Sequence, residues 1–270
     1  MIMKTIKLLL QGHKTSNEGI FLFLSLCFAI SANAQYSDGA PPPPSASYET
    51  LPSGYVELGF GFTEPLSSFA NNTQSGYGGY ALPGDHINIS FGIPIEHSNI
   101  GIALMYGFYD NAFDINTYVD NVQISDQSTT YSPLIQDSYR ENIFMGGLFA
   151  TIPVDRASFD FRALGGIAIC ALPEVAYQAN ATLLAATNNF EWDTYSSISS
   201  SFAFDLGAGF RYKFRVCSLM AGIDYLSASP MVNTTQQYTD QYGNTSYTHI
   251  GGAISISMMT YSLGIGYEFR

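Results

Sequence analysis

The C-terminal stretch constrains the fold most. Tyr261, Leu263, Ile265, Tyr267 and Phe269 alternate with Ser262, Gly264, Gly266 and Glu268, and a period of two belongs to a β-strand. One face of that strand is large and apolar, while the other holds Gly, Ser and a single acid. A small soluble barrel turns its bulky face inward and carries Lys, Glu and Thr outside. Here the second face is too small and too poor in charge to meet water. It fits a cramped lumen, with the aromatic and aliphatic face in lipid.

The same pattern recurs from Gly54 onward and predicts eight strands. The first is Tyr55 to Thr63, with Val56, Leu58, Phe60 and Phe62 opposite Glu57, Gly59 and Gly61. The second is His86 to Ile95, with Ile87, Ile89, Phe91, Ile93 and Ile95 opposite Asn88, Ser90 and Gly92. The third is Ile100 to Asp110, with Ile102, Leu104, Tyr106 and Phe108 opposite Gly101, Ala103 and Gly107. The fourth, Tyr139 to Ile152, admits two registers: Ile143, Met145 and Phe149 face lipid, or Phe144, Leu148 and Ile152 do. The fifth (Ser158 to Leu172) places Asp160 and Arg162 inside, the sixth (Ser199 to Tyr212) Asp205 and Arg211, and the seventh (Val216 to Leu226) Asp224. The eighth begins near Met258.

Connection lengths set the topology. Short links near Glu96–Asn99, Pro153–Ala157 and Lys213–Arg215 alternate with long ones at about 64–85, 111–138, 173–198 and 227–257. Strict alternation through eight antiparallel strands predicts an all-β, up-and-down transmembrane barrel with tight periplasmic turns and long extracellular loops. In lipid such a sheet must close, because no water is present to satisfy a free strand edge.

Composition and the N-terminus agree with export. Charged residues are only 12% of the chain, and no run of about 18 apolar residues is present to make a spanning helix. The apolar segment Ile20 to Ile30 follows Lys4, Lys7 and Lys14 and precedes Ser31-Ala-Asn-Ala34. That is the form of a cleavable signal peptide, residues 1–34, with a start at Met1 or Met3. Its removal takes three lysines and one glutamate and moves the net charge from −12 to −14, which disfavours nucleic acid as a partner. Residues 35–53, with Pro41 to Pro44, read as a Pro-rich periplasmic tail, and residues 54–270 as the barrel. Cys170 and Cys217 fall near opposite ends of their strands, too far apart to bridge, and are expected as free thiols.

Several segments resemble a known family. The run Gly54-Tyr-Val-Glu-Leu-Gly-Phe-Gly-Phe62, the loop Pro65…Phe69-Ala70-Asn71…Gly78-Gly79-Tyr80-Ala81, the run Phe159-Asp160-Phe161-Arg162-Ala163 and the end Gly264-Ile-Gly-Tyr-Glu-Phe-Arg270 are similar to small eight-stranded bacterial outer-membrane barrel domains of the OmpA and OmpX kind. The resemblance spans residues 54–270. It implies a multi-pass protein of the outer membrane, in contact with its lipid, whose C-terminal strand is read by the barrel-assembly machinery. Activity does not follow, since one fold hosts many functions.

The ionisable cluster with spatial logic is the inward set Glu57, Asp160, Arg162, Asp205, Arg211, Asp224 and Glu268. In a narrow lumen such charges must pair, so Arg162 and Arg211 are expected to bridge acids on neighbouring strands. The functional alternative is a narrow passive pore for ions or small solutes, although eight strands give an interior that side chains just fill. Catalysis finds little support: His86, His97 and His249 follow the signal segment with no triad or metal spacing, so no enzyme, metal or cofactor is expected. Asp85 beside His86 reads as a loop-end pair. Recognition falls to the loops. Ile115, Tyr118, Val119 and Val122 recur at helical spacing, and Trp192 is the binding candidate in the third loop, with a membrane-interface aromatic as the alternative. Surface interaction or an envelope-structural role leads, followed by the pore and by a soluble lipocalin-like barrel with its bulky face inside. An extracellular ligand is possible but unnamed.

Overall fold

Strict alternation makes strands whose two faces never mix, and eight of them form a ring. The computed structural model describes residues 54–72, 79–95, 98–125, 129–183, 186–214 and 217–269. The expected export signal, the Pro-rich segment, His97 and Arg270 lie outside them. The barrel strands are β1 (Gly54–Pro65), β2 (Gly84–Pro94), β3 (Ile100–Ala112), β5 (Ser138–Val154), β6 (Ala157–Ala171), β9 (Ile198–Phe214), β10 (Cys217–Ala228) and β13 (Ile256–Phe269). Their order, β1-β13-β10-β9-β6-β5-β3-β2, closes where β1 meets β2, and every pairing is antiparallel. The short links lie at one end. One is the turn of Asp155 and Arg156, with Asp155 at φ +52°, a left-handed conformation that Asp tolerates better than bulky residues.

The faces are sorted as a membrane barrel requires. Ile87, Ile89, Ile102, Leu104, Phe144, Phe161, Phe202, Leu206 and Leu263 stand exposed on the outside. Gly, Ser, Thr and the charged residues turn inward. A belt this continuous far exceeds the apolar patches soluble monomers carry and is the outward band of a barrel in lipid. It removes the lipocalin-like alternative, which needed the bulky face inside. The fourth predicted strand, β5, also takes a definite register. Phe144, Leu148 and Ile152 face out, while Ile143, Met145 and Phe149 are buried inside. The barrel interior is therefore part apolar, and alternation alone did not show which set would fill it.

The long connections differ from simple loops. They hold α1 (Ser67–Ala70), α2 (Ile115–Ser125), β4 (Thr129–Gln136), β7 (Val175–Leu183), β8 (Ala186–Thr194), β11 (Met231–Thr239) and β12 (Thr245–Ala253). The five strands among these form a second sheet in the order β12-β11-β8-β7-β4. Helix α2 covers the residues whose spacing predicted it. The strands were missed because they fall in stretches read as long connections: β11 and β12 carry Thr on both faces, so no apolar alternation marks them, and the alternation of β7, with Val175, Tyr177 and Ala179 against Gln178 and Asn180, was passed over.

Loop one caps the lumen's outer mouth. Phe69 of α1 is fully buried and packs edge-on against Tyr139 at 5.0 Å. The Tyr139 hydroxyl donates to the Gly79 carbonyl at 2.8 Å, and the Leu66 backbone exchanges hydrogen bonds with Ser257. Ser67 and Tyr80 hold φ of +52° and +50°, unusual for residues with side chains.

Among the described residues Cys170 and Cys217 are free: Cys170 is buried in the lumen and Cys217 exposed at the start of β10. A maleimide applied to the folded, processed protein in detergent is expected to modify Cys217 alone, with Cys170 reacting only after denaturation. Intact mass reads the number of adducts, and a second adduct on the folded barrel would mean an open interior.

Candidate functional site

The inward charges collect between the periplasmic end and the middle of the barrel. Arg162 on β6 reaches across β9 to Asp224 on β10, with Nη2 at 2.6 Å from Oδ2 and Nε donating to Oδ1 at 2.8 Å. This is the two-pronged geometry that makes Arg–carboxylate pairs strong. Asp205 lies 3.4 Å from the same Nε. Gly207 makes the reach possible. It sits between Arg162 and Asp224 in register, and a Cβ there would stand 1.7 Å from Asp224 Oδ1 and 2.8 Å from Arg162 Nε.

Arg211 forms the second node. Its Nη2 lies 2.6 Å from Glu57 Oε1 and 3.1 Å from Asp160 Oδ2, and its guanidinium sits 4.0 Å from the centre of the Tyr55 ring, in cation–π range. Ser90 donates to Glu57 at 3.2 Å, and Thr151 to Asp160 at 2.7 Å. At the periplasmic end Lys213 Nζ meets Glu268 Oε2 at 2.9 Å.

The seven residues singled out in sequence therefore all lie in the lumen, each beside an opposite charge. Three bridges span more than neighbouring strands. Arg162 skips a strand to Asp224, Lys213 of β9 skips β10 to reach Glu268 on β13, and Arg211 of β9 reaches β1 across the interior. Sequence reasoning overlooked Lys213, although its alternation with Arg211 placed it on the same face. It also overlooked Glu141, buried on β5 between Tyr109 and Cys170 in register, whose carboxylate oxygens have no hydrogen-bond partner.

The described histidines, His86 and His249, do not form a site. His86 is buried and stacks on Tyr109, with ring centres 5.4 Å apart, while Asp85 points the other way, so the expected pair of these neighbours is not made. His249 is exposed on β12 beside Thr235, at 3.1 Å. Among the described residues no group of three His, Cys, Asp or Glu is placed to hold a metal.

A gap beside Tyr55, Arg162 and Arg211 has a volume of about 30 Å³, room for about one or two waters. Outward of it, Met105, Met145, Leu164, Leu226 and Met258 are buried, beneath the cap of Phe69.

Trp192 lies on β8 of the outer sheet. It stacks on Tyr177 at 5.4 Å with the planes 13° apart and touches Tyr131, Phe190 and Tyr238. Tyr177, Trp192 and Tyr238 stand directly opposite one another on three adjacent strands. Tyr118 of α2 covers the Tyr177 end, leaving Trp192 and Tyr238 half-buried.

No family model and no curated protein matches the chain. Solved structures do. Neisserial surface protein A is 14% identical over 80% of this chain and 97% of that one, with a TM-score of 0.43. A major outer membrane protein from Thermus thermophilus is 13% identical over 80% and 98%, with a TM-score of 0.42. The N-terminal β-barrel domain of Pseudomonas aeruginosa OprF is 13% identical over 80% and 98%, with a TM-score of 0.35. The assignment rests on this chain's own strands and side chains. An interior that needs ion pairs and an exterior that needs lipid leave one reading: the described residues form an eight-stranded membrane-spanning β-barrel.

Proposed function

We propose that this barrel is a sealed anchor and that its outer sheet is a recognition surface. One observation carries the reading: three of the four long connections are built into a single five-stranded sheet. Ordering a residue costs about 1–2 kcal/mol of backbone entropy. The outer sheet pairs with itself and not into the closed ladder of eight strands, so its order asks for another use. Its Tyr, Trp, Thr, Asn and Gln side chains suit adaptable contacts, with Trp192 and Tyr238 as the aromatic anchors. The segments 64–85, 111–138, 173–198 and 227–257 contain no Lys or Arg, yet hold Asp114, Asp120, Glu174, Glu191, Asp193 and Asp240. A polyanionic partner would meet repulsion there. The C-terminal strand β13 is what the assembly machinery would read.

The lumen charges serve as structural ties in this reading. A conducting path would have to pass two arginine nodes, a layer of buried Met and Leu, and the Phe69 cap. Planar bilayers holding the purified protein are therefore expected to stay silent. Steady single-channel steps would reinstate the narrow pore. For the sheet, the test replaces Val175–Thr194 and Met231–Ala253 with short turns. The shortened barrel is expected to keep its boiling-dependent gel shift and to lose binding to cells, matrix or glycan surfaces; unchanged binding would overturn the assignment.

A further inference from the structure

The outer sheet has two edges, and they are protected differently. On β4, Pro133 removes a donor and the register shifts between Pro133 and Ile135, while α2 packs alongside. Proline, irregularity and coverage are the usual ways of blunting an edge. On the other side, β12 reads Thr-Ser-Tyr-Thr-His-Ile-Gly-Gly-Ala, with no Pro, no acid and no Lys or Arg. It pairs with β11 through nine positions without a shift, and all its residues but Gly252 are exposed. Its far side meets no strand among the described residues. The hairpin tip is firm: Asp240 accepts from the backbone N–H groups of Tyr242 and Asn244 and from the Asn244 amide, each at 2.8 Å. These bonds, the Asn244 amide first, hold its carboxyl below the usual range.

The edge is complementary to itself. Laid antiparallel on a second β12 about His249, it sets Tyr247 opposite Gly251 and Thr248 opposite Ile250. An aromatic ring over a cross-strand glycine stabilises an edge, β-branched pairs suit a sheet, and no like charges meet. Strand direction fixes the rest. β12 runs from the tip down to β13 and the barrel. Copies in one membrane would present β12 parallel. Antiparallel pairing puts the second barrel beyond the first one's tip, in a facing membrane.

We propose that β12 is a homotypic docking edge, through which copies on two facing outer membranes join their outer sheets into one. This rests on the outer sheet being the recognition element.

The test displays the full chain on a non-clumping Gram-negative host. Labelled expressing cells are mixed with differently labelled non-expressing cells, then settling rate and clump composition are read. Expressing cells are expected to settle several-fold faster, in clumps that exclude the others. Thr248→Lys with Ile250→Lys sets lysines opposite one another and should abolish clumping while the boiling-dependent gel shift persists. Cells carrying that pair, mixed with cells carrying Thr248→Glu and Ile250→Glu, should clump with each other. Wild-type cells that stay dispersed overturn the proposal, as do clumps that recruit non-expressing cells or survive the double lysine change. Dispersed cells that still bind other surfaces through the sheet overturn only this inference; loss of neither property on removing the sheet overturns the broader reading.

Discussion

Replacing Arg162 with alanine is expected to lower the unfolding free energy of the barrel by about 3–5 kcal/mol, read as a fall in the urea midpoint of the heat-modifiable band in liposomes. The side chains of Asp205 and Asp224 are 1% and 3% exposed. Without Arg162 both lose their cation in a space closed to bulk water. The cause is separable from simple loss of volume. A companion carrying Arg162→Met, Asp205→Leu and Asp224→Leu removes the charges together and should stay near wild type, since a buried ion cluster is often replaceable by apolar groups of similar size. An unchanged midpoint for the alanine variant would mean that the bridges do not hold the interior together.

Leu206→Arg tests the other face of the same strand. Leu206 follows Asp205 in the chain, points outward and is 54% exposed. An arginine near the middle of a bilayer destabilises an outer-membrane barrel by about 2–4 kcal/mol. On a water-facing wall it would be close to neutral. Folding titrations in liposomes measure the difference, and a neutral result in lipid would overturn the placement of this wall.

The barrel was legible because lipid imposes a simple code. With apolar residues required outside and small or paired polar residues inside, each strand wrote its two faces into alternate positions, and even Arg162 and Arg211 could be assigned inward. Partners across the lumen were less legible. Arg162 meets Asp224 only because Gly207 opens the way, a contact among three strands that no local pattern encodes. The register of β5 was ambiguous because Ile143, Met145 and Phe149 are apolar residues turned inward, where the code expects small or polar ones. The outer sheet was least legible. Its strands are not part of the barrel ladder and have no single buried face to mark a period. Trp192 stood out as an aromatic of the third loop, but its place in an aromatic row depends on register between segments far apart in sequence.

Closure has a kinetic side. β1 pairs with β13 from Gly54↔Phe269 to Pro65↔Met258, so the ring is completed by joining the two ends of the barrel sequence. Contacts of such separation form slowly, and the last ladder cannot form until the final strand has arrived. Once it has, every strand is gripped on both sides, and none can peel away without breaking two ladders together. The lifetime of the folded protein in the envelope is then governed by the rate at which the ring first opens, a barrier that outlasts any modest loss of equilibrium stability.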